Sequence, residues 1–246
     1  MINEQVEKIQ NALFLKGYLV GEVDGIWGRR TIAALKAFQE NEHLAADGIF
    51  GPKTARKLFP LNGNMPEGPL LPWIAEAEHL VGTKEVPGGG SNPGIIAMAN
   101  QLNIAYAGDD IPWCGLFVAH CIGATLPEEV LPRGPLGARN WARFGDATEP
   151  RSGAIMVFWR KSKDSGLGHV AFYQGEDDED YWILGGNQDD KVCLTNYPKK
   201  QFLGARWPRT APQPGGGQPI VAVERTQDGM IISRPLATHL PSQLLM

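Results

Sequence analysis

A sequence repeat near the amino terminus most constrains how this chain can fold. The stretch VDGIWGRRT, which begins at Val23, recurs as ADGIFGPKT from Ala46, so that the shared residues are offset by 23 positions. Asp-Gly favours a tight turn, the second glycine permits backbone angles closed to other residues, and threonine is a good helix cap. Each copy is therefore predicted to be a turn followed by a helix, with Thr31 and Thr54 as the N-caps.

An apolar stripe upstream of the repeat predicts one more helix. Val6, Ile9 and Leu13 recur at helical spacing, and Gly17 follows as a stop signal. Three short helices around one small core are expected in this part of the chain. A small helical bundle with no ligand would have the same spacing.

This segment also resembles the peptidoglycan-binding domain found at one end of many cell-wall hydrolases. The resemblance rests on IQNALFLKGY and on the two Asp-Gly-Ile-aromatic-Gly-x-x-Thr copies, and it covers residues 4–59. It implies that the module holds the protein on bacterial peptidoglycan. Trp27 and Phe50 are then candidate substrate-binding residues, and burial in the module core is the alternative that we favour for both.

Two segments rich in proline and glycine divide the chain. They are PLNGNMPEGPLLP at residues 60–72 and PRTAPQPGGGQP at residues 208–219, and their composition is typical of linkers. The predicted organisation is a peptidoglycan-binding module at 1–60, a linker at 61–72, a central domain at 73–208, and a linker and tail of unknown role at 209–246.

Charge and hydropathy exclude several classes of function. A net charge of -4 without a basic excess argues against nucleic-acid binding. The first residues, MINEQVEKIQ, are polar and acidic, and no apolar run approaches the length of a bilayer span, so neither a signal peptide nor membrane insertion is predicted. We therefore expect the chain to accumulate in the cytoplasm of the cell that makes it.

The cysteines and histidines show no metal-binding pattern. Three scattered cysteines are too few for a disulfide scaffold, and the chain lacks Cys-x-x-Cys and His-Glu-x-x-His. No metal and no cofactor are predicted.

Cys114 lies where a helix is predicted to begin, in the segment DDIPWCGLFVAHCIG. Pro112 suits a first helical turn, where its missing N–H costs nothing. Free N–H groups and the positive end of the helix dipole stabilise a thiolate, which is the nucleophilic form of cysteine. Cys114 is therefore a candidate nucleophile, whereas Cys121 and Cys193 are predicted to be ordinary buried residues.

The pattern changes from helical to strand-like after Cys114. Two helices are predicted before it, at 73–82 and 93–102. Five β-rich runs follow it, at 153–159, 168–175, 180–186, 191–197 and 202–208. Short connections favour an antiparallel sheet, so the central domain is predicted to be α+β. With Cys114 on a helix and His169 at the start of a strand, the order is that of papain-like cysteine hydrolases, in which the nucleophile helix packs on the sheet.

The central domain resembles the CHAP and NlpC-like cysteine amidohydrolases and peptidases, especially a branch common in phage endolysins. The resemblance rests on PWCGLFVAHCI, RSGAIMVFWR, GLGHVAFYQG and LGGNQ, in that order, over residues 72–208. It implies that Cys114 is the nucleophile, that His169 is the general base, and that Asn187 orients the histidine.

Some site assignments remain open at this stage. Gln188 or Asp190 could orient the histidine instead of Asn187, and Trp113, beside the nucleophile, is a further candidate substrate-binding residue. His120 is the strongest rival to His169, but it lies six residues after Cys114, on a poorly matched face of the same helix.

These residues predict a peptidoglycan hydrolase that cleaves an amide bond. An L-alanine amidase and a peptide endopeptidase both fit. The alternative is a wall-binding or structural protein with an inactive papain-like domain. The endolysin resemblance further implies that a holin opens the membrane and releases the enzyme to the wall.

Overall fold

A computed structural model describes residues 3–59, 71–88, 90–211, 221–225 and 231–235. The amino-terminal module contains the three predicted helices, α1 (Glu4–Leu15), α2 (Arg29–Asn41) and α3 (Pro52–Leu58). Their apolar faces enclose one small core.

Buried glutamines fix both turns of the repeat. In the first copy, the Gln10 side chain donates to Asp24 Oδ1 at 2.9 Å and to the Ile26 carbonyl oxygen at 3.0 Å. It also contacts Thr31 Oγ1 at 3.0 Å, and its own oxygen accepts the Gly25 amide. Each of these buried polar groups therefore has a partner. The second copy repeats the arrangement with Gln39, Asp47, Ile49, Thr54 and Gly48.

The predicted threonine caps are wrong. The N-cap residues are Gly28 and Gly51, and neither helix start receives a side-chain cap. Thr31 and Thr54 lie inside the first turn, where their hydroxyl groups accept from the glutamine side chains. The threonines therefore stabilise the packing of one helix on the next turn rather than a helix end.

Within the described residues, the second domain contains three α-helices and a six-stranded sheet. Its helices are α4 (Pro72–His79), α5 (Pro93–Gln101) and α6 (Cys114–Thr125). Its strands are β1 (Asp146–Thr148), β2 (Ile155–Trp159), β3 (Gly168–Glu176), β4 (Asp180–Gln188), β5 (Lys191–Pro198) and β6 (Phe202–Trp207). The sheet is antiparallel, in the order β1-β6-β2-β3-β4-β5. The five predicted strands and the α+β class are confirmed, and β1 is an additional strand.

Helix α6 packs directly on this sheet. The rings of Phe117 and Phe172 meet edge to face at 6.0 Å. A Cβ atom at Gly186 would lie 2.6 Å from side-chain atoms of Phe117 and Trp113, so only glycine permits this approach of α6 to β4. Helices α4 and α5 contact α6 as well, which leaves α6 almost wholly buried. Its amino-terminal end is therefore held rigidly.

The module and the second domain contact each other. Asn3 donates to Glu78 at 3.1 Å, and Lys36 lies 3.7 Å from Glu128. Ala75 of α4 packs in the core of the module, and Ile49 of the module packs in the larger core.

The predicted domain boundaries fall near the edges of the described ranges. Residues 61–70 of the predicted linker lie outside the described residues, and Pro72 already belongs to α4. At the other end, the Thr210 amide donates to Glu129 at 2.7 Å, so the second domain extends past residue 208. Within the tail, β7 (Val221–Arg225) and β8 (Ile231–Pro235) form a separate antiparallel pair.

Candidate active site

The amino-terminal end of α6 presents the Cys114 thiol to backbone donors. Cys114 is the first residue of α6 and is only 4% exposed. Burial raises the pKa of its thiol, while the backbone groups of Val170, Gly115 and Cys114 and the charge of Arg160 act in the opposite direction. The free N–H groups of the helix start therefore act on the sulfur as expected, but desolvation outweighs them.

Gly115 lets a loop close over this helix start. A Cβ atom at Gly115 would lie 2.3 Å from the Pro135 carbonyl oxygen and 2.5 Å from that of Leu136. Because both contacts are to backbone, a larger residue would displace the loop or the helix end.

His169 is held in the sheet, near the start of β3. It pairs with Phe158 of β2 and is 3% exposed. Its Nε2 lies 2.8 Å from Gln188 Oε1, and its ring stacks on Tyr197 with a centroid distance of 5.2 Å. Burial lowers the pKa of His169 to about 4; the Gln188 hydrogen bond opposes this shift and the Arg160 charge adds to it. His169 is therefore neutral above about pH 5 and can accept a proton.

The Gln188 amide determines which ring nitrogen of His169 is protonated. Its Nε2 donates to the Cys193 carbonyl oxygen, so its Oε1 is the atom that faces the histidine. An oxygen can only accept, so the proton lies on His169 Nε2 and the lone pair lies on Nδ1. This is the tautomer in which Nδ1 is the base.

Cys114 and His169 share the same surroundings. The backbone of Val170, the residue after His169, hydrogen-bonds the Cys114 sulfur. The Arg160 charge lowers the pKa of both groups, and Tyr197, which stacks on His169, is close enough for the Cys114 charge to raise its pKa. The fold thus brings the two residues, 55 positions apart in the sequence, to one place.

Asn187 contacts a different partner. Its Nδ2 donates to Glu85 Oε1 at 2.7 Å, and the indole N–H of Trp113 donates to the same oxygen at 2.7 Å. The residue bonded to His169 is instead Gln188, one of the two alternatives raised from the sequence. The cause is an irregularity of β4 between Gly185 and Gln188, where Asn187 adopts a positive φ of 54° and the alternation of side chains is interrupted. Asp190 is exposed in the following turn.

The three aromatic residues predicted to bind substrate are buried. Trp113 and Phe50 are 0% exposed and Trp27 is 1% exposed. None of them offers a ring face to a sugar, because each ring packs inside a hydrophobic core. This is the core alternative for Trp27 and Phe50, and Trp113 is likewise buried.

The remaining cysteines and His120 occupy structural positions. His120 Nε2 lies 3.0 Å from Glu76 Oε1 on α4. Cys121 is fully buried, and burial raises the pKa of its thiol well above its ordinary value. Cys193 is half-buried beside Gln188. Arg160 and Tyr197 are neighbours of His169 that no sequence pattern predicts, since only the sheet register brings them to it.

Neither a membrane-spanning helix nor a metal-binding cluster occurs among the described residues. No helix within them combines the length and the apolar character needed to cross a bilayer. In the same part of the chain, no three His, Cys, Asp or Glu side chains cluster as they would around a metal ion.

Residues 3–58 match the family described as putative peptidoglycan binding domain. This match supports peptidoglycan as a partner of the chain.

Individual relatives are cell-wall enzymes by name. The chain is 37% identical over 81 residues to the N-acetylmuramoyl-L-alanine amidase CwlM of Mycobacterium tuberculosis, which covers 33% of this chain and 20% of that protein. It is 42% identical over 55 residues to a spore cortex-lytic enzyme of Bacillus cereus, which covers 22% of this chain and 21% of that protein. The chain thus aligns with about a fifth of the length of these relatives. No solved structure gives a significant match.

Proposed function

We propose that this protein is a cysteine-dependent peptidoglycan hydrolase whose second domain is a papain-like amidase or endopeptidase. The amino-terminal module holds the enzyme on the wall, and Cys114 and His169 cleave an amide bond of the peptide stem or its link to the muramoyl sugar. The observation that carries the proposal is the hydrogen bond from His169 Nε2 to Gln188, which leaves Nδ1 as a base in the surroundings of the Cys114 thiol.

The chemistry starts from two neutral groups, because the pKa of the thiol is raised and that of the imidazole is lowered. His169 Nδ1 takes the thiol proton as the sulfur attacks the carbonyl carbon of the amide. The oxyanion that forms accepts hydrogen bonds from backbone donors, with the N–H of Cys114 as a candidate.

The reaction ends with hydrolysis of an acyl-enzyme. The C–N bond breaks as the imidazolium returns its proton to the departing amine, which leaves a thioester on Cys114. His169 then deprotonates a water molecule, the hydroxide displaces the sulfur, and the thiol regains its proton. Gln188 stabilises the imidazolium in both steps, which is the role first predicted for Asn187.

A pair of cysteine variants on one helix tests this proposal. Cys114→Ala should abolish clearing of purified peptidoglycan in a zymogram, since a methyl group cannot attack the amide. Cys121→Ala makes the same chemical change seven residues later on α6 and should retain activity. Wall cleavage by Cys114→Ala, or loss of the wild-type activity in EDTA with recovery in zinc, would exclude the thiol mechanism.

The products distinguish the two candidate reactions. A new N-terminal L-alanine in the digest, found by mass spectrometry, indicates the muramoyl link, and an amino terminus inside the stem indicates an endopeptidase.

A further inference from the structure

A cleft of about 680 Å³ lies between the module and the helical side of the second domain. The module contributes Trp27, Gly28 and Arg29, and α4, α5 and α6 contribute Glu76, Met98 and His120. Neither Cys114 nor His169 lines it. A smaller hollow of about 240 Å³, also lined by Gly28 and Arg29, adjoins it at the start of α2. The cleft is thus a concave site that both domains build and that neither Cys114 nor His169 lines.

Three buried ring nitrogens on residues that line this cleft have no hydrogen-bond partner within the described residues. They are Trp27 Nε1, His79 Nδ1 and His120 Nδ1; Trp27 is 1% exposed and His120 is 6% exposed. Buried polar groups are nearly always paired in folded proteins, because an unpaired one forfeits its bond to water. A ligand in the cleft would supply the missing partner.

The two copies of the repeat differ at Trp27 and at Arg29, and the differences show which groups the fold requires. Phe50 occupies in the second copy the position of Trp27 and is equally buried, but it has no N–H group. The core at this position therefore requires an aromatic ring and not an indole nitrogen. The next two residues also differ between the copies. Arg29 offers a backbone amide at the start of α2, whereas Pro52, at the same position of α3, has no N–H group.

The module side of the cleft is electropositive. Helix α2 has 13 residues, no side-chain cap and no acidic residue in its first turn. Its positive end coincides with two exposed cations, Arg29 and Arg30. Together with the Trp27 N–H donor, these groups favour a ligand with carbonyl and carboxylate oxygens.

We propose that this cleft binds the carboxylate-bearing peptide stem of peptidoglycan, away from the bond that is cleaved. An oxygen of the stem accepts from Trp27 Nε1, and a carboxylate of the stem lies against Arg29 and the amino-terminal end of α2. Because the ligand is a wall peptide, the inference rests on the proposed function. It extends that function, since wall recognition then requires both domains in contact.

Titration calorimetry of the full-length protein tests the proposal. The probe is the synthetic stem tetrapeptide L-Ala-γ-D-Glu-diaminopimelate-D-Ala, and all proteins carry Cys114→Ala to prevent turnover. Trp27→Phe should weaken binding about tenfold, as expected for the loss of one hydrogen bond, without lowering the melting temperature. Arg29→Gln should weaken binding similarly, whereas Lys53→Gln, which removes a cation from the second copy, should not. A probe with its carboxylates amidated should bind less tightly than the free acid.

Binding that is unchanged in both Trp27→Phe and Arg29→Gln would overturn the proposal, as would no binding by the parent at about 1 mM peptide. Peptide release from the wall by the wild-type enzyme is measured separately. Release without cleft binding refutes the second site alone, and cleft binding without release refutes the proposed hydrolase alone.

Discussion

The two neighbouring amides at the end of β4 should differ sharply in their effect on catalysis. Gln188→Ala removes the acceptor that holds the Nε2 proton of His169. A hydrogen bond to a charged group contributes about 1.5–3 kcal/mol, and about 1.4 kcal/mol corresponds to a factor of ten in rate. We therefore expect kcat/KM for release of wall peptides to fall by about 10- to 150-fold.

The matched control is Asn187→Gly. Glycine accepts the positive φ of 54° that Asn187 adopts, so the change removes the bond to Glu85 without straining the backbone. Because that bond does not involve His169, kcat/KM should change little. The opposite ranking of the two variants would show that Asn187 is the orienting residue and that our assignment of Gln188 is wrong.

The pH profile separates an effect on the base from a general loss of fold. In the wild type, the acid limb of kcat/KM should follow the pKa of His169, about 4. The Gln188 hydrogen bond raises this pKa, so its removal should move the acid limb to lower pH while lowering the plateau. A reduced plateau with an unmoved limb would contradict the direct contact.

Three further predictions concern stability and release. His169 takes up a proton near pH 6.5 in the unfolded state but only near pH 4 in the folded state, so the free energy of unfolding is highest above pH 6.5 and falls by about 3 kcal/mol towards pH 4. Urea titrations of His169→Gln should lack this loss. An equal loss in the variant would contradict the prediction. Gln10→Ala leaves several buried groups unpaired and should lower the free energy of unfolding by about 3 kcal/mol. Gln5→Ala on the same helix should change the free energy of unfolding by under about 0.5 kcal/mol. Equal effects of the two changes would exclude the buried hydrogen-bond network as the cause. If the chain is released as endolysins are, expression alone should leave bacterial growth unaffected and chloroform should trigger lysis, whereas lysis without chloroform would refute dependence on a holin.

Local sequence patterns predict the elements of this fold better than the contacts between them. Strands β2 to β6 follow from short β-rich runs between polar turns. The threonine caps failed because the partner of Thr31 is Gln10, 21 residues earlier on another helix. No local pattern contains such a contact.

In the candidate site too, local features are predictable from the sequence and contacts between elements are not. A cysteine at a helix start and a histidine at a strand start are local features, and both are predicted from the sequence. The partner of the histidine depends on one irregularity in β4, and a shift of one residue exchanges which side chain faces it. Tyr197 reaches His169 from a strand that does not pair with β3, so only the assembled sheet reveals that contact.

The hydrogen-bond networks of Gln10 and Gln39 also indicate where this module tolerates changes in length. In the first copy, 14 positions separate Gln10 from the Asp24 that it holds, and in the second only 8 separate Gln39 from Asp47. The same bonds form across both spans, so the network tolerates different lengths of chain between the glutamine and the turn. From the aspartate to the threonine the spacing is seven residues in both copies, and the glutamine bonds the residues at both ends of that span. We therefore expect the module to fold with insertions at residues 16–22 and not with insertions at residues 24–31. The segment 16–22 is consequently the place to attach a tag or a reporter.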